Sequence, residues 1–311
     1  MSTLRFSTSL FVVAALASAA MPVGSQDYPS RRIHLATSQV GGAGDFVSRL
    51  MGQGLSARFG QPVVIENRPT ATEYVAQAAP DGHTLLHYGN TVWISPLVRD
   101  VQWDVVRDFE PIMLTVRAPN VVVVTPTLPV KSIKELITLA RARPGELNYA
   151  SSATGSSTHL AGELFNVMAG VNIVRVNYKG VTTGINDVIS GQVQVMFLAP
   201  GSVMAHIKSG RLKALAVTGA EPSRLFPGLP TVAASGVPGY ESAATFGLFA
   251  PARTPASVIT RLNQEVARVL KAPDVQEKLF NSGMEVVAGT PEQFAATLKT
   301  EVAKWSKILK K

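Results

Sequence analysis

Along most of this chain, short β-branched or apolar runs alternate with stretches whose apolar positions recur every three or four residues. "RIHLA" leads into a helix predicted over residues 45–59. Its Val47, Leu50, Met51 and Gly54 fall at i, i+3, i+4 and i+7, one buried face that Gly60 ends. "PVVIE", a short helix over residues 73–79, the "PDG" turn and the strand "HTLLHYG" follow, and "NVVVVTP" reads as a buried strand. "KSIKELITLARARPG" predicts a helix opened by a capping box, Ser132 with Glu135, and stopped at Gly145. The alternation continues through "LNYAS", a helix after Thr158, "VNIVRVNY", a helix over residues 183–190, "VQVMFLA", "GSVMAHIKSG" and "LKALAVTG". Residues 222–240, rich in proline and glycine, predict a long ordered connection before the strand "TFGLFAP". Three helical segments beginning near Pro255, Pro273 and Pro291 close the chain, each proline suited to a first helical turn. The pattern predicts an α/β fold of mostly parallel strands flanked by helices.

Two strand–helix junctions of similar build interrupt this alternation. "IHLATSQVGGAGDFVSRL" is the first, and "NYASSATGSSTHLAGELF" is the second. In the second, residues 151–158 carry no side chain larger than threonine. A strand ending in small residues and entering a helix leaves backbone N–H groups unpaired at the positive end of the helix dipole, which is an anion site. Small residues let a ligand reach that backbone, and Ser156, Ser157 and Thr158 add hydroxyl donors. One serine is expected to cap the helix, but a cap alone does not require eight small residues in a row. With no repeat of short period elsewhere, the paired junctions suggest two lobes of related build.

Composition narrows the classes. Residues 1–25 read as a cleaved secretory leader: Arg5 precedes an apolar run, residues 10–20, too short to span a membrane, with cleavage after Ala19 or Ser25. Cleavage after Ser25 removes 25 of 311 residues and leaves 286, enough for two lobes. It leaves 28 basic against 21 acidic residues, a net charge of +7. Those charges are scattered and not interleaved with aromatics, which argues against nucleic acid and for a mild preference for anionic ligands or an anionic membrane surface. The absence of cysteine excludes disulfides and thiolate metal sites.

Chemistry finds little footing. "GAGDFV" matches the first two glycines of a dinucleotide fingerprint but puts Val47 at the third, although Glu66 stands where a ribose-binding acid would. Nucleophile-elbow, Ser-x-x-Lys and His-Glu-x-x-His motifs are missing from the sequence. Ser157 and His159 are two apart, so on one helix they point in different directions. His83 and His87 fall on one face of a strand, but no third ligand lies nearby in sequence. No metal and no cofactor is expected, and binding without chemistry is the favoured class.

The marks "GQPVVIENRP", "AAPDGHTLL", "DFEPI", "LNYASSATGSSTHLAGELF", "VNYKG", "HIKSGRLKALAVT", "LPTVAASGVPGY" and "FGLFAPARTP", in this order, resemble the solute receptors of tripartite tricarboxylate transporters, the Bug family. The resemblance runs from "DYPSRRIHL" to the C-terminus. It implies a two-lobed periplasmic-binding-protein type II fold, each lobe a sheet flanked by helices, closing on a small carboxylated solute in the periplasm. It also implies delivery of that solute to a membrane permease pair, by a receptor taken here as a monomer. On matching positions it implies ligand contacts from Gly41, Gly42 and Ala43 in one lobe and from Ser152, Gly155, Ser156 and Ser157 in the other. Asn90, Thr91, Tyr178 and Lys179 are further candidates.

The sequence departs from the family pattern in four places. Thr37, Ser38, Gln39 and Val40 replace the usual Pro-Phe-x-Pro, and "TATEYVAQ" after "ENRP" is short and lacks glycine. Leu198 and Ala199 stand where Asp-Asn is common, and Trp93 takes a place often held by a small residue. An apolar cleft lined by Trp93 and Leu198 would favour a monocarboxylate with an apolar or aromatic body. The lobes are expected to divide between Val123 and Val124 and between Gly247 and Leu248, giving lobe one as 26–123 with 248–311 and lobe two as 124–247. A secreted α/β enzyme using His159, or a drifted paralogue serving as a sensor without transport, are the alternatives.

Overall fold

The computed structural model of the protein describes residues 28–38, 40–152 and 154–309; the predicted leader and its cleavage sites lie outside them. β1 (Ile33–Thr37), α1 (Ala43–Phe59), β2 (Val63–Asn67), α2 (Ala71–Ala76), β3 (Thr84–Gly89) and α3 (Thr91–Ile94) come first, followed by β4 (Phe109–Pro119). β5 (Val121–Val124), α4 (Ile133–Ala142), β6 (Asn148–Ser151), α5 (Ser157–Ala169), β7 (Val174–Asn177), α6 (Val181–Ser190), β8 (Val195–Leu198), α7 (Pro200–Lys208) and β9 (Lys213–Val217) form the middle of the chain. β10 (Ala243–Pro251), α8 (Ala256–Leu270), α9 (Pro273–Asn281), β11 (Glu285–Val286) and α10 (Pro291–Leu309) complete it.

Two sheets result. The first has strand order β11-β4-β10-β3-β1-β2 and the second β7-β6-β8-β5-β9. Pairing is parallel within β2-β1-β3 and within β7-β6-β8, the parts built from strand–helix–strand units. It is antiparallel wherever β5, β10 or β11 takes part, so both sheets are mixed.

The chain passes from the first sheet to the second at Asn120, the single residue between β4 and β5. It returns between Val217, the end of β9, and Ala243, the start of β10. The first passage therefore falls just before the Val121–Val124 run, and the four valines belong whole to the second sheet, fully buried. In the returning segment, Val217 bridges to Thr231, and the Tyr240 hydroxyl donates to the Ala161 carbonyl of α5 at 2.9 Å. Residues 222–240 are thus tied to the second sheet.

Amphipathic spacing explains the layers. Ile259, Leu262, Val266 and Val269 of α8 recur at helical intervals and are buried in one core with Val47, Met51 and Leu55 of α1. Each such side chain contributes ~1.5–3 kcal/mol when fully buried. A second core runs through both sheets, joining Trp93, Phe249, Phe294 and Trp305 to Val122, Phe165 and Phe197.

Candidate functional site

Parallel strands deliver their C-terminal ends to one edge of a sheet, and ligands of open α/β folds bind at such edges. In the first sheet, β1 and β3 are parallel neighbours, so the segments after them, Gly41–Ala43 and Asn90–Ile94, leave at the same edge. In the second sheet, β6, β7 and β8 bring Ser152, Thr154–Ser157, Tyr178–Lys179 and Ala199 to their own common edge. The two edges meet: a Cβ placed on Gly155 would lie 3.8 Å from the Ile94 side chain. Asn120 adds a second link, its amide nitrogen donating to the Ser157 carbonyl at 3.4 Å.

The second-sheet junction is built by α5 and the loop before it. Gly162 allows α5 to lie against β6, because a Cβ there would stand 2.3 Å from the Tyr149 ring. Ser156 is the N-cap, accepting from the His159 N–H at 3.4 Å. Thr158 Oγ1 accepts the Ser152 N–H at 3.0 Å and lies 3.0 Å from Ser156 Oγ and 3.1 Å from Ser152 Oγ, drawing both ends of the loop together. Gly155 has φ +84°, in the left-handed region that favours glycine, and its N–H donates to His159 Nδ1 at 3.1 Å. That bond requires a neutral imidazole with Nδ1 unprotonated. Burial, then the neighbouring Arg175, lowers the His159 pKa to about 4, with Glu163 acting in the opposite sense.

Arg175, which the sequence reading passed over, organises this loop from β7. Its guanidinium donates to Ser151 Oγ at 2.7 Å, the Ser152 carbonyl at 2.9 Å, Thr154 Oγ1 at 3.1 Å and Asn177 Oδ1 at 3.2 Å. All four acceptors are neutral, and among the described residues no carboxylate pairs with it. The signal in the sequence was a lone arginine between two valines in a strand whose neighbour ends in the hydroxyl-rich loop.

The first-sheet junction is arranged differently. Gly41 is exposed at φ +79°, and its N–H donates to Asp45 Oδ2 at 3.0 Å. Gly42 is the N-cap of α1 and has no capping side chain. Asp45 sits in the first turn with its carboxylate bound by Arg49 at 3.0 Å and by Asn67 at 2.9 Å. Burial works to raise its pKa, but hydrogen bonds from Arg49, Gly41 and Asn67 outweigh it and hold the group below the usual carboxylate range. An ionised carboxylate from the protein itself thus already faces this helix start, whereas α5 has no acidic residue in its first turn.

The remaining candidates divide. Asn90 is buried at the start of α3 and Thr91 half-buried beside it, both where the two sheet edges meet. Lys179 is exposed there too. Tyr178 donates its hydroxyl to Asp187 Oδ2 at 2.7 Å and packs in the core beneath α6. Trp93 and Leu198 do not line a cleft. Trp93 is 1% exposed, set against Phe249 and Phe294, and Leu198 is 1% exposed in a core with Val121 and Ala150. The reason is geometric: β8 is covered on both faces, so its last side chain points into a core, and α3 turns its indole inward under α10.

His83 and His87 form no metal site, and no cluster of three metal-ligating side chains occurs among the described residues. His87 instead lies against Ser48 at 2.8 Å and Thr115 at 3.0 Å. A cavity of about 570 Å³ opens beside the crossing strands, lined by Pro119, Pro200, Arg224, Phe280 and Met284. Asn120 also lines it, whereas Gly41–Ala43, Asn90–Ile94, Ser152, Gly155–Ser157 and Tyr178–Lys179 do not.

A sequence profile described as "Tripartite tricarboxylate transporter family receptor" matches residues 47–311. This chain belongs to that family. It is 31% identical to the protein BugT of Bordetella pertussis over 319 aligned positions, covering all of this chain and 98% of BugT. Among solved structures it is similar to R. palustris Rpa4515 with adipate: 37% identity, TM-score 0.78, 91% of this chain and 98% of that one. It is also similar to MatC from Rhodopseudomonas palustris with bound malate: 27% identity, TM-score 0.76, 91% of this chain and all of that one. The family and these neighbours are solute-binding receptors rather than enzymes, and this chain is a receptor of that family.

Proposed function

We propose that this receptor works outside the cytoplasm and closes its two lobes on a short aliphatic carboxylate, which it delivers to a membrane permease pair. The lobes are the two sheets with their helices, hinged at Asn120 and at the return between Val217 and Ala243. One ligand carboxylate sits at the start of α5, held by backbone N–H groups near Gly155 and by the hydroxyls of Ser152, Ser156 and Ser157. Gly42, Ala43, Asn90 and Thr91 hold the rest of the ligand from the other lobe through neutral donors.

The observation that carries this reading is the small-residue loop leading into a capped helix without first-turn acid, facing the other lobe across Gly155 and Ile94. Charge-assisted hydrogen bonds contribute roughly 1.5–3 kcal/mol each. Three or four support micromolar affinity, about −8 kcal/mol, after ordering costs. The adipate and malate of the relatives are aliphatic, and the inward placement of Trp93 and Leu198 removes the basis for an aromatic preference. Removal of a leader after Ala19 or Ser25 accompanies export in this reading.

Calorimetric titration with adipate, malate, benzoate and citrate tests it. Micromolar binding of an aliphatic acid without turnover is expected. Silence across all four acids would favour a drifted paralogue, and turnover of a bound acid would favour an enzyme.

A further inference from the structure

We propose that Arg175 is the positioning residue of the carboxylate loop, holding Ser151, Ser152 and Thr154 in their binding shape and placing behind them a positive charge that no carboxylate pairs with. The proposal rests on the carboxylate site argued above. A guanidinium is a rigid fork of donors, and here the fork spans three separate pieces of chain: the end of β6, the loop, and the end of β7. It therefore does for the loop what no single backbone bond can, since the small side chains that admit a ligand provide little packing of their own.

Charge is the second half of the device. Arg175 is half-buried, and its four acceptors are neutral, so its charge is not cancelled locally. The charged and titratable groups facing it across the loop and strands are His159 and Glu163 of α5 and Tyr149 of β6. His159 is held neutral, and Glu163 accepts from the Tyr149 hydroxyl at 2.6 Å. Glu163 thus keeps its charge but does not pair with Arg175, and a carboxylate arriving at the start of α5 would meet a guanidinium whose direct partners are all neutral. Direct contact is not required, because Arg175 acts through Ser151, Ser152 and Thr154.

The test uses the full mature protein and two variants, Arg175→Met and Arg175→Lys, with adipate as the probe. Arg175→Met is expected to weaken adipate binding at least tenfold, and Arg175→Lys to recover part of the loss by keeping charge without the fork. Two further readouts do not depend on any ligand. The His159 imidazole, followed by NMR, is expected to titrate at higher pH in Arg175→Met than in wild type, because a like charge has gone. Amide exchange at Thr154 and Gly155 is expected to accelerate in both variants while exchange in β1 stays unchanged, which also confirms that the variants fold. If wild type binds no adipate but these two readouts move as stated, the ligand assignment fails and the positioning role stands. Unchanged His159 titration and unchanged loop exchange in Arg175→Met would overturn the proposal, as would wild-type affinity in that variant.

Discussion

Asn120 and Thr218 are joined by hydrogen bonds across the crossing strands: the Asn120 N–H donates to Thr218 Oγ1 at 2.7 Å, the Thr218 N–H donates to the Asn120 carbonyl at 2.8 Å, and Thr218 Oγ1 lies 3.1 Å from that same carbonyl. The Thr218 hydroxyl in turn donates to the Ser242 carbonyl at 2.5 Å, and the Ser242 N–H returns to the Thr218 carbonyl at 2.9 Å. One threonine thus pins both passages between the sheets. Thr218→Val keeps the shape but leaves a buried N–H without a partner, which costs about 1–3 kcal/mol. Urea denaturation is expected to show that loss, and Thr218→Ser to show little of it.

Gly155 is the position where bulk and backbone strain act together. A side chain at its φ of +84° is strained by ~1–2 kcal/mol, and it projects toward Ile94 and the space a carboxylate would enter. Gly155→Val is expected to abolish adipate binding and lower the melting temperature by only a few degrees. Lys179→Ala, on an exposed side chain at the same edge, is expected to change affinity less than threefold. A larger effect from Lys179 would place the carboxylate on a cation rather than on the helix start.

Stability is expected to fall as pH drops from about 6.5 to about 4. Burial lowers the pKa of His87, and burial with Arg175 that of His159, to about 4 from an ordinary 6.5. The unfolded chain therefore binds more protons in this window, so stability is complete above it and is lost as pH falls, by at most about 3 kcal/mol per histidine. His159→Asn keeps an acceptor near the Nδ1 position without a titrating group. Chemical denaturation between pH 7 and 4 is expected to give a shallower decline for this variant than for wild type, whereas parallel curves would show that His159 does not titrate with folding.

Trp93 belongs to the core by its 1% exposure and its contacts with Phe249 and Phe294, although its indole N–H has no partner among the described residues. Trp93→Phe therefore sacrifices no hydrogen bond and is expected to leave ligand preference unchanged, while Trp93→Ala loses ~3–5 kcal/mol through the cavity it opens. A shift in the ranking of adipate and benzoate in Trp93→Phe would return this residue to the ligand.

Much of the fold was legible because local signals agreed with tertiary demands. The period-2 and period-3.6 runs became strands and helices, and Ser132 caps α4 by accepting from the Glu135 N–H. The crossing strand β4 was not legible: its pairing with β10 shifts register twice, which breaks the alternation that marks a strand. The passage at Asn120 was hidden because Val121–Val124 sits mid-sheet with both faces covered, so its apolar run carries no sign of where the sheets change. Both small-residue junctions could be located from the chain, but the partners that complete them could not. Arg175 and Asn120 reach the second loop from elements 21 to 37 residues away, and Asp45 at the first is visible only once Asn67 and Arg49 converge on it.

Small-angle scattering with and without saturating adipate tests the hinged trap most directly. Closure about Asn120 and the return strand brings the lobes together, so the radius of gyration falls on addition of ligand and Gly155→Val shows no change. Superimposable curves for wild type, at a concentration where calorimetry shows the site filled, would contradict a trap that closes on its solute.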